Sequence, residues 1–135
     1  MADLQVTLCG VPLANPLVLA SGIWGSSADT LVRLGRRGAG AVTAKSCSLL
    51  PREGHRNPTV LVWEAGVINA VGLSNPGAEI ERQSLTEART ALRPLGVPLV
   101  ASIFGQSSAE YAACAQVVMA AQPDLLELNI SCPNV

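Results

Sequence analysis

Cys132 stands among Asn129, Ser131 and Asn134 in ELNISCPNV, the run that closes the 135-residue chain. It follows an apolar stretch (Leu125, Leu126, Leu128) and precedes a proline. A free cysteine is most often a small core hydrophobe. Surrounded by carboxamides and a hydroxyl just past a strand end, a thiol is better read as reactive, because the thiolate is the form that takes a proton or attacks. Lys45 and Ser46 follow the apolar AVTA in the same way, and charge at the end of a buried strand is uncommon. Ser21 and Gly22 follow PLVLA, and Ser102 lies in PLVASI. A thiol, an amine, hydroxyls and carboxamides can move protons and hold a polar heterocycle, with each Asn offering a donor and an acceptor from one side chain. With one histidine, His55 in a loop, and no clustered carboxylates, the sequence does not support a Ser-His-Asp triad or a His-rich metal site. Cys9, Cys47 and Cys114 are widely spaced, form no C-x-x-C pair and are read as structural.

These groups need elements to position them. Four near-continuous apolar runs, Pro16–Ala20, Ala39–Ala44, Pro98–Ile103 and Asp124–Asn129, suit strands buried on both faces, as in a parallel sheet. Helical patterns lie between them. Ser26 and Asp29 resemble a capping box ahead of Leu31, Val32 and Leu34, with Gly35 and Gly38 as the stop. From Ala78 to Arg93 the residues Leu85, Ala88, Leu92 and Leu95 share a face, and Pro94 ends the helix. Ser107 and Glu110 form another capping box before a stripe of Tyr111, Ala115 and Val118. LQVTLCGVPL alternates around Gly10 and predicts an N-terminal hairpin. The insert from Cys47 to Gly77 is rich in Pro and Gly, lacks a helical period, and is long enough to be functional. The order implies an α/β protein built from right-handed βαβ units. Every polar set falls at a C-terminal strand end, where such sheets and barrels place ligands.

Composition narrows the class further. With 49% hydrophobic residues and a net charge of −1, the chain reads as a soluble globular protein. The absence of a Lys/Arg run argues against nucleic-acid or anionic-membrane surfaces. MADLQVTLCG lacks the layout of a secretory signal, and no apolar run has the length of a membrane span, so the expected location is the cytoplasm. Aromatic residues make up only 3%, which leaves the core to Leu, Val, Ala and Ile.

Taken with Lys45-Ser46, the stretches NAVGLSNPG (Asn69 to Gly77) and NISCPN (Asn129 to Asn134) resemble the dihydroorotate dehydrogenases. The cysteine resembles class 1, since class 2 members carry serine at the matching position. PREG (Pro51 to Gly54) and the NPG ending look more like class 1B, the NAD-coupled branch, and the resemblance runs from NPLVLASG to the last residue. It implies a (β/α)8 barrel of the TIM type that holds FMN and oxidises dihydroorotate to orotate in pyrimidine (UMP) biosynthesis. Cys132 would then be the general base, with hydride passing to FMN. Ala20, Ser21, Gly22, Lys45, Ser46, Ser102 and Asn129 match positions that contact the cofactor. Lys45, Asn69, Ala70, Val71, Gly72, Leu73, Asn129 and Asn134 match positions that contact the substrate. Ser102 stands where many members have asparagine, and Pro58-Thr59 replaces a usual Pro-Arg.

The four strands and the hairpin correspond to about the first four βα units, so residues 1–135 are expected to be the N-terminal half of such a barrel. Alternatives are a truncated, inactive half-barrel and a related flavoenzyme of the dihydropyrimidine dehydrogenase type. Class 1B membership would add an electron-transfer subunit carrying FAD and an iron–sulfur cluster. This chain has no dinucleotide fingerprint and no cluster-binding cysteine run that would hold those groups itself. The resemblance also implies a homo-oligomer.

Overall fold

The computed structural model describes residues 3–131; Cys132 and Asn134 lie outside them. The chain opens with the expected hairpin, β1 (Val6–Leu8) against β2 (Val11–Leu13). Its two-residue turn places Cys9 at φ +49° and Gly10 at φ +83°. Positive φ at both turn residues matches the right-handed twist of the flanking strands.

The four apolar runs become β3 (Val18–Leu19), β4 (Ala41–Thr43) and, after a second hairpin, β7 (Leu99–Ile103) and β8 (Leu125–Leu128). They form one sheet in the order β3-β4-β7-β8, parallel throughout. Helices α1 (Ala28–Arg36), α2 (Ala78–Leu92) and α3 (Ser108–Met119) make the crossovers. All three pack on the same face. Leu31 and Val32 of α1, Leu85, Ala88 and Leu92 of α2, and Cys114 and Val118 of α3 share a core with Val42, Leu99, Ala101 and Ile103. The alternate residues (Ala41, Thr43, Val100, Ser102) face the other way, in register with Leu125 and Glu127. A doubly wound sheet carries helices on both faces; helices on one face only are what a barrel wall requires.

Local sequence accounts for most element ends, with some differences from expectation. The N-cap of α1 is Ser27, not Ser26: Ser27 is extended (φ −152°, ψ 153°) and its Oγ accepts from Thr30 N at 3.3 Å. Only the residue with extended backbone can aim its hydroxyl at the first turn. Ser107 caps α3 as expected, accepting from Glu110 N at 3.2 Å, while the Glu110 carboxylate accepts from Gln106 N at 2.8 Å. In α3, Cys114 is fully buried alongside Val118, so the cysteine is part of the buried stripe. Leu95 is exposed, because the α2 helix ends at Leu92 and a 3-10 turn, Arg93–Leu95, carries it off the buried face.

The insert is not featureless. Its middle is the second hairpin, β5 (Val60–Trp63) and β6 (Gly66–Asn69), joined through Glu64-Ala65. Asn75 fastens its return to the loop that follows β4. Its Oδ1 accepts from Ser48 N (3.2 Å) and Gly77 N (2.9 Å), and its Nδ2 donates to Ser48 Oγ (3.0 Å) and Leu73 O (2.9 Å). A carboxamide has two donors and two acceptor sites, so this buried group is fully satisfied. At the opposite end of the sheet, Asp124 ties three elements together. Its carboxylate accepts from Leu99 N at 2.8 Å and pairs with Arg89 of α2 at 2.9 Å.

Among the described residues, no helix is long and apolar enough to cross a membrane.

Candidate functional site

The C-terminal ends of β3, β4 and β8 and the inner face of the second hairpin enclose a cavity of about 420 Å³. Ser21, Gly22, Lys45, Ser46 and Asn129 form its floor at the strand ends, while Val60, Val67, Asn69, Val71 and Leu73 form the opposite wall. The wall follows from hairpin register. Val60 pairs with Asn69 and Val62 with Val67, and directly paired residues share a face, so this set turns inward together. Leu73 holds φ +55°, which is costly for a branched side chain and must be imposed by its surroundings. The Asn75 clamp at the next turn, whose Nδ2 donates a hydrogen bond to the Leu73 carbonyl, supplies that constraint.

Eight of the residues singled out from the sequence line this cavity: Ser21, Gly22, Lys45, Ser46, Asn69, Val71, Leu73 and Asn129. Ala20, Ala70 and Gly72 are close in sequence but are not among the lining residues. Gly72 has a structural reason to be glycine. It sits at φ +75°, and a Cβ there would meet His55 N at 2.8 Å and its ring at 2.7 Å. His55 is thereby placed against the loop, its N donating to Val71 O at 3.0 Å. Ser102 lies one layer beneath the cavity and reaches it through Ser46. Val60 and Val67 are not legible as site residues in the sequence; the signal there is only the pair of short apolar segments VLVW and GVIN on either side of Glu64-Ala65.

A line of hydroxyls runs under the floor. Ser21 Oγ is 3.2 Å from Ser46 Oγ, Ser46 Oγ is 2.7 Å from Ser102 Oγ, and Ser102 Oγ donates to Glu127 Oε1 at 2.5 Å. Asn129 Nδ2 also donates to Ser46 Oγ, at 3.2 Å. Ser102 and Glu127 are direct partners in the β7–β8 register, which brings them together from 25 residues apart. Tyr111 of α3 donates its hydroxyl to Asn129 O at 2.5 Å and fixes the backbone there.

Lys45 is half-buried and borders a second, smaller cavity with Ser26, Ser74, Asn75, Pro76 and Glu81. Its backbone is held by Gly25, whose O accepts from Lys45 N at 2.9 Å. Any Cβ on Gly25 would lie 2.7 Å from that nitrogen, so a side chain there would displace Lys45. Glu81, in the first turn of α2, is 5% exposed. Burial pushes its carboxyl up to about 7, against the opposing pull of Lys45.

The folded protein therefore holds this proton more tightly than the unfolded chain does. Stability from Glu81 is full below the ordinary carboxylate range and is lost as pH rises through about 7. Glu81→Gln is expected to flatten that decline and to raise stability at pH 8 by up to about 3 kcal/mol. Urea midpoints at pH 5 and pH 8 check it. An equal effect of the substitution at both pH values would contradict it.

Cys47 and Cys114, 4.0 Å apart at sulfur, fill the core between sheet and helices. The hydrogen bond that holds its proton against Cys114, and then burial, push the Cys47 thiol up, away from the reactive thiolate. Both pack within the core.

The sequence model of the family described as "Dihydroorotate dehydrogenase" matches residues 3–135. The chain is 47% identical over 131 residues to a dihydroorotate dehydrogenase B (NAD(+)) catalytic subunit of Methanothermobacter thermautotrophicus, covering 97% of this chain and 41% of that protein. The protein of the same name in Methanocaldococcus jannaschii is 41% identical, with coverage of 97% and 42%. That in Archaeoglobus fulgidus is 42% identical, with coverage of 100% and 44%. The chain thus spans about two fifths of the length of these relatives. With its one-faced parallel sheet and its strand-end cavity, the chain belongs to the dihydroorotate dehydrogenase family.

Proposed function

We propose that residues 1–135 are the first half of a (β/α)8 barrel that oxidises dihydroorotate to orotate with FMN, as a catalytic subunit in pyrimidine biosynthesis. The observation that carries this reading is the cavity at the C-terminal strand ends, where Lys45, Ser46, Ser21 and Asn129 converge beneath an apolar hairpin. Further βα units would pair along the open edges of β3 and β8 and close the wall.

The wall chemistry fits FMN. A flat conjugated ring needs apolar contact on its face and polar partners at its edge, and the cavity offers Val60, Val67, Val71 and Leu73 opposite an amine, two hydroxyls and a carboxamide. FMN bound there would supply the acceptor for a hydride pair leaving the substrate. The chain's own residues do the rest. Lys45 brings positive charge to a site where negative charge builds up. Asn69 and Asn129 each offer one donor and one acceptor, the pattern a dihydropyrimidine ring presents along its amide edge. Cys132, three residues beyond Asn129, would remove the proton from the carbon next to the one that gives up hydride. Asn134 would take the substrate's remaining polar edge. Ala20 would lie against FMN, and Ala70 and Gly72 would hold the substrate loop in place.

The relatives are named as NAD(+)-linked catalytic subunits, which supports a separate partner subunit. On this reading the partner carries FAD and an iron–sulfur cluster, and the assembly is cytoplasmic and holds more than one copy. Steady-state oxidation at matched concentrations of dihydroorotate and dihydrouracil tests the reading. Turnover confined to dihydroorotate is expected; a preference for dihydrouracil would replace it with the dihydropyrimidine dehydrogenase type.

A further inference from the structure

The hydroxyl line beneath the cavity ends on a carboxylate, and that end dictates the direction of every link. A carboxylate can only accept, so Ser102 commits its single hydrogen to Glu127. Ser102 Oγ is then an acceptor toward Ser46, 2.7 Å away, and Ser46 spends its one hydrogen there. The two lone pairs of Ser46 Oγ remain, and they are filled by Asn129 Nδ2 and by Ser21. Ser21 must therefore donate downward and turn its lone pairs to the cavity. Asn129, tied by its nitrogen, must present Oδ1 together with its second N–H. Without Glu127 each hydroxyl could rotate the other way, leaving Ser46 free to donate to Asn129 with the carboxamide flipped.

We propose that Glu127 is a positioning residue: through Ser102 and Ser46 it sets the hydrogen-bond polarity of the cavity floor, so that the floor selects a heterocycle offering an imide or lactam N–H. This rests on the flavin reading above and extends it to a residue that does not line the cavity. The pyrimidine edge of the flavin ring, where N3–H adjoins a carbonyl, has the pattern that the Oδ1 and free N–H of Asn129 complement. The reversed chain, with the Asn129 carboxamide flipped, would put its donors against that N–H.

The test uses the protein at the full length its gene encodes, stripped of flavin and titrated with FMN and with FMN methylated at N3, following flavin fluorescence. The wild type is expected to prefer FMN by about tenfold or more, the effect of leaving one buried polar group unpaired. Glu127→Leu removes the terminal acceptor and is expected to reduce that ratio to about twofold. Ser102→Ala cuts the same chain one link nearer and should reduce it equally, with the double variant no worse than either single one. A ratio between two ligands is insensitive to the folded fraction, so simple destabilisation cannot imitate the result. A wild type that binds both flavins alike, or a ratio that survives in both variants, would overturn the proposal while leaving the flavin reading standing. A wild type that binds neither flavin would overturn both.

Discussion

Replacing Cys132 with alanine is expected to slow dihydroorotate-dependent flavin reduction by about 10²- to 10⁴-fold, the usual contribution of a positioned general base. FMN affinity should stay within about twofold, because FMN is assigned to the floor residues, none of which changes. The other cysteines cannot substitute. Cys47 and Cys114 are buried in the helix-facing core, and Cys9 lies exposed in the N-terminal hairpin turn. Cys132→Ser should retain the geometry with a weaker base, so its rate should climb further into alkaline pH than that of the wild type. Stopped-flow reduction at a series of pH values separates these cases. A Cys132→Ala rate within about threefold of wild type would remove the cysteine from the chemistry, since a base contributes far more than that.

Lys45→Met is expected to have two separable effects, because Lys45 lies between the floor of the large cavity and the smaller cavity holding Glu81. In the large cavity it removes the positive charge, and reduction by dihydroorotate should slow by about 10- to 100-fold, the range for losing a charge-assisted contact. In the small cavity it removes a cation that pulls the Glu81 carboxyl down. The Glu81 carboxyl should then rise further, and the alkaline loss of stability should become steeper than in wild type. Lys45→Arg should restore the stability profile more fully than the rate, because a planar guanidinium keeps the charge but not the shape of the ammonium. An unchanged pH profile of stability in Lys45→Met would show that Lys45 and Glu81 do not communicate.

Much of this architecture is readable from residue types alone, and the exceptions have physical reasons. The four parallel strands are visible from their near-continuous apolar runs, although only β4 and β7 are buried throughout and the edge strands β3 and β8 are partly exposed. The floor residues are visible because polar groups follow those runs directly. The second hairpin hides for a related reason. VLVW and GVIN are apolar on both faces, yet every residue of β5 is exposed, so the usual link between apolarity and burial misleads. Its turn, Glu64-Ala65, also lacks the Asn-Gly or Asp-Gly signal of a two-residue hairpin. Neighbouring Ser26 and Ser27 are equivalent as N-cap candidates by type; only backbone geometry separates them. Glu127 is the most instructive case. Within DLLELN it reads as the polar member of an apolar strand, and its role depends on facing Ser102 across a strand register that no local pattern specifies. Asn75 likewise looks like a turn residue in SNPG, but its four hydrogen bonds reach Ser48, 27 residues away, as well as its near neighbours.

The central claim is that this strand-end cavity holds FMN and delivers dihydroorotate to it. The most direct measurement is the visible absorbance spectrum of the purified protein under anaerobic conditions, recorded with FMN and again after adding dihydroorotate. The account predicts a retained flavin band that bleaches with dihydroorotate and persists with dihydrouracil. A protein that retains no flavin, or a bound flavin left unbleached by dihydroorotate, would contradict it.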